Sequence, residues 1–209
     1  MTFRVLAALV LALGAAALIG GLAVLGKGPA APRELRHLRA GKGRERAPER
    51  YAPWTVDSFA ALPHGRPLAE YAPLEARGVS LEGWVQRTML AADGDLHLEI
   101  APAPRGEGGT DTLYVTAEIT PQWRRRGRWN GEALLAFFRP NRGGATPWPG
   151  GPRHVRVSGW LLYDYQYDRV PSSWSLGNAA PRLTGWEIHP VTRLEAWDDS
   201  SGTWREFPS

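Results

Sequence analysis

The chain has 209 residues, of which 43% are hydrophobic and 22% are charged, a composition typical of a globular domain with extensions. It contains no cysteine, which excludes disulfides and leaves His and carboxylate side chains as the donors for any metal ion. Residues 1–50 carry 9 of the 25 Lys and Arg and 3 of the 21 Asp and Glu, so the formal net charge of +4 becomes about −2 over residues 51–209. A nearly neutral folded part argues against a nucleic-acid-binding protein, in which the domain itself is usually basic.

An uncharged apolar segment follows Arg4. Residues 5–25 consist only of Val, Leu, Ala, Ile and Gly, a length that crosses a bilayer as a helix and exceeds the apolar part of most signal peptides. The sequence therefore predicts a membrane anchor over residues 1–26. A cleaved signal peptide is the alternative, because small residues follow the most apolar part of the segment.

The next segment, residues 27–50, is rich in Arg, Gly, Pro and Ala and has no apolar periodicity. Such a composition buries too little apolar surface to offset the entropy of ordering, so it predicts a basic disordered linker. The linker would either dock on anionic lipid headgroups or serve as a solvated tether. Its basic residues would place the domain in the cytoplasm by the positive-inside rule, whereas an apolar segment so near the N-terminus is typical of export.

Residues 51–74 form a lead-in segment interrupted by four prolines. Proline in a helix interior removes a hydrogen bond and clashes with the preceding turn, so a long helix is excluded. A single short turn is predicted at residues 56–61. The rest of the lead-in is expected to wrap across the domain.

Five segments with two-residue alternation follow, the pattern of half-buried strands. They cover residues 79–85, 95–100, 113–119, 155–161 and 185–197. A helix is predicted between the third and fourth strands, within residues 121–138, with Asn130 as its N-cap. Gly83 and Gly159 fall in mid-strand, where the bending of a small barrel favours a residue without a side chain.

Three strands, a helix and two further strands are the element order of the OB-fold. The sequence therefore predicts a mainly β protein with a five-stranded OB-fold-like Greek-key barrel over residues 75–198. One helix lies between strands 3 and 4, and a transmembrane helix precedes the domain. Residues 199–209 are expected to form a C-terminal tail.

One face of three predicted strands carries His and carboxylate side chains. Alternation places such residues on one side of the second and fifth strands, and the third strand lies between these two in an OB-fold. The predicted ligand-binding residues of this face are Asp95, His97, Glu99, Glu118, Glu187 and His189.

Three interpretations of this face remain open. In the first, the histidines hydrogen-bond carboxylates or backbone groups and fix the strand register, and in the second the face contacts a ligand without catalysis. The third interpretation is metal binding or acid–base catalysis, with His97, His189 and Glu187 as candidate ligands of a divalent ion. The sequence establishes no cofactor.

Two further segments are candidates for binding. The loop over residues 163–174 connects the fourth and fifth strands, and its Tyr165, Tyr167 and Trp174 suit sugar rings or bases, unless the loop only covers the barrel end. Residues 123–129 place four arginines between two tryptophans, a combination that holds phosphates and stacks bases. The alternative for this segment is a solvated loop whose tryptophans pack on the barrel.

Three segments carry a resemblance to known proteins, namely Trp186-Glu187-Ile188-His189-Pro190-Val191, His97-Leu98-Glu99-Ile100 and Val157-Ser158-Gly159-Trp160. On these segments the chain resembles a group of small bacterial proteins, mostly exported or membrane-anchored, with an OB-fold-like domain. The resemblance covers about residues 75–198 and is most specific at the first segment. It implies the fold and an extracytoplasmic domain, and it implies no activity.

The favoured hypothesis is a single-pass, membrane-tethered OB-fold module that binds an oligosaccharide, a nucleic acid or an envelope protein. Nucleic acid is the disfavoured ligand because the domain is nearly neutral. The alternative is a metal-dependent hydrolase, such as a phosphodiesterase or nuclease, using His97, Glu99, Glu118, Glu187 and His189. The sequence contains no nucleophile elbow, Walker loop, dinucleotide fingerprint or helical metalloprotease pair that would favour an enzyme.

Overall fold

The computed structural model describes residues 32–104, 113–126, 129–138, 141–142, 146–147, 153–168 and 182–207. The chain divides into two units, Met1–Pro32 and Arg33–Ser209, and apart from Pro32 all elements below belong to the second. The strands are β1 (Ala52–Trp54), β2 (Gly78–Leu90), β3 (Leu96–Ala101), β4 (Tyr114–Ile119), β5 (Asn141–Arg142), β6 (Thr146–Pro147), β7 (Arg153–Tyr163), β8 (Arg182–Asp198) and β9 (Thr203–Glu206). The helices are α1 (Pro32–Lys42), α2 (Val56–Ala60), α3 (Ala72–Glu75), α4 (Pro121–Arg125), α5 (Gly131–Phe138) and α6 (Tyr165–Asp168), and Leu68–Tyr71 forms a 3₁₀ turn.

Five long strands close into a barrel in the order β2-β3-β4-β8-β7 and back to β2. All neighbouring pairs are antiparallel except β4 and β8, which run parallel. The strand β2 closes the barrel because Gly78 to Val85 pairs with β7 whereas Trp84 to Leu90 pairs with β3. The predicted mainly β five-stranded barrel, with helical structure after its third strand, is confirmed.

Both predicted mid-strand glycines lie in strands with irregular register, Gly159 at the irregularity itself and Gly83 two residues before one. The register between β7 and β8 shifts on both sides of Gly159, and the register between β2 and β3 shifts between Val85 and Arg87. At Gly83 a side chain would have no room, because an added Cβ would lie 2.6 Å from the carbonyl oxygen of Ala101. These close approaches explain why glycine occupies both positions.

The inward face of each strand is apolar and fills the interior. Two-residue alternation directs one set of side chains into the barrel, and these side chains are buried. They include Leu81, Val85, Leu98, Ile100, Val115, Ala117, Val157, Leu161, Ile188 and Val191. Tyr71, Tyr163 and Trp186 pack together, with ring centroids 4.2 to 5.0 Å apart.

The predicted helix over residues 121–138 is two helices, α4 and α5. The side chain of Thr120 accepts a hydrogen bond from the backbone N–H of Trp123 and caps α4. As predicted, Asn130 caps α5, since its side chain accepts from the backbone N–H groups of Glu132 and Ala133. The turn predicted at residues 56–61 is α2.

Residues 32–50 differ from the predicted disordered linker. Residues 32–42 form α1, and the chain after it is held on the barrel by side chains that donate to its carbonyl oxygens. Nε1 of Trp123 donates to the Arg44 oxygen at 2.9 Å, and Nε1 of Trp160 donates to the Arg46 oxygen at 2.7 Å. Composition alone missed this order because the stabilising groups belong to distant residues.

Two predictions concern the ends of the chain, a C-terminal tail and an N-terminal membrane anchor. The expected C-terminal tail, residues 199–209, contributes β9, which pairs with β8, and a buried Phe207. The predicted anchor, residues 1–26, lies outside the described residues. Within the described part of the chain, no helix is both long and apolar enough for a membrane span.

Replacing Gly159 with Ala tests the close approach of β7 and β8. An added Cβ would contact the carbonyl oxygen of Pro190 and lie 2.9 Å from Cα of Val191. These are backbone atoms, so the clash is relieved only if a whole strand shifts. We therefore expect the free energy of unfolding, measured in urea titrations, to fall by about 2 to 3 kcal/mol. The control is Gly131→Ala at the start of α5, where the nearest atom is 4.0 Å away and the change should be within about 1 kcal/mol. Equal losses in both variants would contradict this account.

Candidate functional site

The outward faces of β3, β4 and β8 bring the predicted polar residues together. His97 of β3 lies opposite Glu118 of β4, and β4 lies beside the part of β8 that carries Glu187 and His189. Asp95 precedes β3 and reaches the same place, with Oδ2 3.5 Å from Nε2 of His189. The prediction that β4 lies between the two histidine-bearing strands is confirmed.

The carboxylate of Glu118 is the centre of this face. Oε2 of Glu118 lies 3.0 Å from Nδ1 of His189 and 3.5 Å from Nζ of Lys42. Oε1 lies 3.2 Å from Nε2 of His97. Only 1% of the Glu118 side chain is exposed, so these neighbours replace the water that would otherwise solvate it.

The buried face contains three ionisable residues that the sequence did not place there. Lys42 comes from α1, Asp164 follows β7, and Arg182 begins β8. Nη2 of Arg182 lies 2.7 Å from Oε2 of Glu187. We refer to Lys42, Asp95, Glu118, Asp164, Arg182, Glu187 and His189 together as the buried polar cluster.

Burial and neighbouring charges act in opposite directions on the cations of the cluster. For His189, burial alone would lower the pKa, but Glu118 and Glu187 raise it to about 10. Burial would likewise lower the pKa of Lys42, yet Glu118 and the other carboxylates raise it above its usual range. The imidazole and the ammonium are therefore cationic at neutral pH and balance Glu118, whose pKa burial would raise but His189 holds well below its usual range.

Two carboxylates of the cluster have raised pKa values. Burial raises the pKa of Asp95 to about 6, although His189 opposes the change. Burial, together with Glu187, raises the pKa of Asp164 to about 6. These acids carry a free-energy cost when ionised in the folded state, which marks the cluster as electrostatically crowded.

The other predicted residues of the face occupy its margin. Glu99 pairs with Arg87, whose Nε contacts Oε2, and thus belongs to a separate ion pair. His97 is partly exposed, and burial lowers its pKa although Glu118 opposes the change. The predicted site residues therefore divide into the cluster, His97 beside it, and Glu99 apart from it.

Three members of the cluster have the spacing of metal ligands. One donor atom from each of Asp95, Glu118 and His189 lies within 4.8 Å of the others. This differs from the predicted set of His97, His189 and Glu187, because Glu187 faces Nδ1 of His189 at 3.0 Å and pairs with Arg182. An imidazole with two carboxylates is a donor set that suits a divalent transition-metal ion.

The predicted ligand-binding face is covered in the structure. Side-chain exposure is 0% for His189 and Glu187 and 7% for Asp95, and Lys42 of α1 lies against the carboxylates of Glu118 and Asp95. A polymeric ligand cannot contact side chains buried to this extent.

The aromatic residues predicted to bind a ligand differ in where the structure places them. Tyr165 and Tyr167 lie on α6 and are half-buried, and the guanidinium of Arg182 lies 4.0 Å from the ring centroid of Tyr167. Trp174 lies outside the described residues. Trp123 and Trp129 are buried, in agreement with the interpretation that they pack on the barrel.

Arg182 and Lys42 were missed for different reasons. Arg182 stands at the start of the last long strand, where nothing in the sequence pairs it with Glu187. For Lys42 the sequence offered one weak indication of a special role, because it is one of only two lysines among the 25 basic residues. Its position in a segment without apolar periodicity concealed its contact with β4.

Comparisons with known proteins add no relative to this picture. No protein-family model matches the chain, and no curated protein matches it. The function is therefore argued from the cluster and from the surfaces of the barrel.

Asp164→Asn tests the cost of ionising a buried acid. The folded-state pKa of Asp164 is about 6 against an ordinary 3.8, so the acid destabilises the fold as pH rises from about 4 through 6. Asn keeps the acceptor that binds the backbone N–H of Gln166 at 3.0 Å and carries no charge. We expect Asn to raise the free energy of unfolding by on the order of 2 kcal/mol at pH 7.5 and by nearly nothing at pH 4.

The measurement is urea unfolding of both proteins at the two pH values. Asp199→Asn, at an exposed position, is the matched control and should change stability by less than about 0.5 kcal/mol at either pH. A gain from Asp164→Asn that is the same at both pH values would rule out ionisation as its cause.

Proposed function

We propose that the chain is a membrane-tethered binding module built on an OB-fold, and that it binds an uncharged oligosaccharide in a groove beside the barrel. The strand order, with the third and fifth barrel strands parallel and helices before the fourth, supports the OB-fold assignment. The apolar residues 5–25 support the tether. The resemblance to exported bacterial proteins supports an extracytoplasmic domain.

A groove of about 740 Å³ carries the proposal. It lies between the lead-in segment, which supplies Tyr51 and Trp54, and the outer faces of β2, β7 and β8. Helix α1 supplies none of the described residues that line the groove. Its size is within the range of small-molecule sites.

The charges that line the groove neutralise one another. Arg156 lies 3.1 Å from Glu82 and 3.6 Å from Glu195, and Arg193 lies 3.2 Å from Glu195. Two arginines facing two glutamates leave no excess positive charge for phosphate. The lining therefore favours a neutral ligand with many hydroxyl groups over a nucleic acid.

Hydroxyl and aromatic groups complete the groove. Ser80 and Ser158 join through a 2.9 Å hydrogen bond, and the hydroxyl of Tyr51 lies 2.8 Å from Oγ1 of Thr192. Trp54 is half-buried and presents part of its indole. Apolar rings beside fixed polar groups are what a sugar ring requires of a binding site, because it has apolar faces and a polar edge.

A cluster of aromatic rings adjoins the groove through Arg156. Its guanidinium lies 4.2 Å from the ring centroid of Trp204. Trp204 packs on His154 with centroids 4.8 Å apart, and His154 stacks on Trp84 at 4.1 Å with an interplanar angle of 2°. These rings are half-buried, so an oligosaccharide longer than the groove would meet further stacking surfaces.

The hydrolase alternative has one supporting observation, the spacing of Asp95, Glu118 and His189. Hydrolysis requires the substrate to reach the metal and its water. The burial of all three residues opposes such access while α1 is docked. The binding module is therefore the better supported function.

Trp54→Leu and Arg193→Met test the groove. Calorimetric titration with cellohexaose, chitohexaose and maltohexaose should show binding of at least one of these sugars, and each variant should weaken it by about tenfold, or roughly 1.4 kcal/mol. The control is Arg205→Met, since Arg205 is 65% exposed and does not line the groove. Binding of a twelve-residue oligothymidylate in place of the sugars would overturn the choice of ligand.

A reporter fusion tests the tether and the side of the membrane. Alkaline phosphatase fused after Ser209 should be active in a bacterial host and should sediment with membranes, because it folds only after export. Deleting residues 1–26 from the same fusion should abolish the activity. A second fusion carries a reporter that is active only in the cytoplasm. Activity of that fusion, with an inactive phosphatase fusion, would show that the basic residues 27–44 set the topology instead.

A further inference from the structure

Two buried polar atoms of the polar cluster have no hydrogen-bond partner within the described part of the chain. They are Nε2 of His189 and Oε1 of Glu118, on side chains that are 0% and 1% exposed; Nε2 of His97 lies 3.2 Å from Oε1 but makes no hydrogen bond to it. Buried polar atoms are nearly always hydrogen-bonded, so each exception requires an explanation. Both residues belong to the group that has the spacing of metal ligands.

The surroundings of His189 prepare its Nε2 as a ligand. Nδ1 lies 3.0 Å from Oε1 of Glu187 and 3.0 Å from Oε2 of Glu118. A carboxylate accepts hydrogen bonds, so Nδ1 keeps its proton in either charge state of the ring, and a metal ion at Nε2, which faces Asp95 at 3.5 Å, would displace the second proton of the imidazolium. Arg182 in turn holds Glu187 at 2.7 Å. A histidine whose other nitrogen donates to an oriented carboxylate is the usual arrangement at a metal centre.

Lys42 supplies a positive charge beside the same carboxylates. Its Nζ lies 3.5 Å from Oε2 of Glu118 and 3.9 Å from Oδ2 of Asp95. Its side chain is 27% exposed, against 7% for Asp95 and less for Glu118 and His189, so it lies on the solvent side of the group. A dication and an ammonium this close would repel each other strongly in a partly dry site.

We propose that Asp95, Glu118 and His189 form a binding site for a divalent transition-metal ion such as Zn²⁺, and that Lys42 of α1 competes with the ion for the two carboxylates. With the ammonium in place, α1 is docked and the site is closed. Binding of the ion displaces the ammonium and weakens the hold of α1 on β4. The segment over residues 32–42 is thus coupled to metal availability, independently of the groove.

Lys42→Met gives a sharp test because the proposal predicts a gain of binding. The full-length chain is freed of metal with a chelator and titrated with Zn²⁺ by calorimetry, with bound zinc counted by mass spectrometry. K42M should bind one Zn²⁺ per chain at least tenfold more tightly than the wild type. Arg39→Met removes a positive charge from an exposed position of α1 and should leave zinc affinity unchanged.

The ligands are tested in the K42M background. Asp95→Asn should weaken zinc binding at least tenfold, whereas Asp93→Asn makes the same chemical change at an exposed position of the same turn and should have no effect. K42M should also have a lower Tm than the wild type in chelator, and Zn²⁺ should restore it. This recovery distinguishes competition for a metal site from a purely structural role of the lysine.

Several results would overturn the proposal. The first is that K42M binds no zinc, or binds it no more tightly than the wild type does. The second is that zinc binding in K42M survives Asp95→Asn. The third is that zinc does not restore the lowered Tm of K42M. The first and third outcomes would identify Lys42 as a permanent counter-ion of Glu118, and the second would show that zinc binds at a site other than the proposed one.

Discussion

A charge inside a protein must be compensated, and Glu118 is where this constraint acts most strongly on the present fold. Taking an ion out of water costs several kcal/mol unless partners replace the solvent. Glu118 finds its partners on three separate elements, namely Lys42 of α1, His97 of β3 and His189 of β8. The register of the barrel and the docking of α1 are therefore needed together. A shift of β8 by one residue would turn His189 toward the barrel interior and leave the carboxylate of Glu118 without its imidazole partner.

The barrel and its polar face could be predicted because both depend on local alternation. The period of two in residues 79–85 and 95–100 defines an inner and an outer face before any tertiary contact is known. The order of strands and helices then selects one topology, which placed Glu118 between His97 and His189. Asn130 was likewise predictable as an N-cap, since capping depends on a side chain and the next two or three backbone N–H groups.

The covering of that face could not be predicted. Residues 32–50 have no periodic apolar pattern, and their order comes from indole N–H groups of Trp123 and Trp160, far away in sequence. The charge of Lys42 acquires meaning only through carboxylates of other elements. Arg182 pairs with Glu187 of its own strand, but strict two-residue alternation would place residues five apart on opposite faces, so the sequence pattern does not pair them. The groove escaped prediction for the same reason, because its walls come from the proline-rich lead-in and from strands that meet only in the closed barrel.

The glycines at 83 and 159 set a limit on how such a protein can acquire specificity. Strands that approach until a single methyl group has no room enclose a volume already occupied by their own side chains. The barrel interior therefore has no room for a ligand, and ligands are recognised by the segments that pack on the outer surface of the barrel. Variation in the lead-in segment or in the N-terminal helix would then change what the protein recognises, while the barrel beneath stays the same.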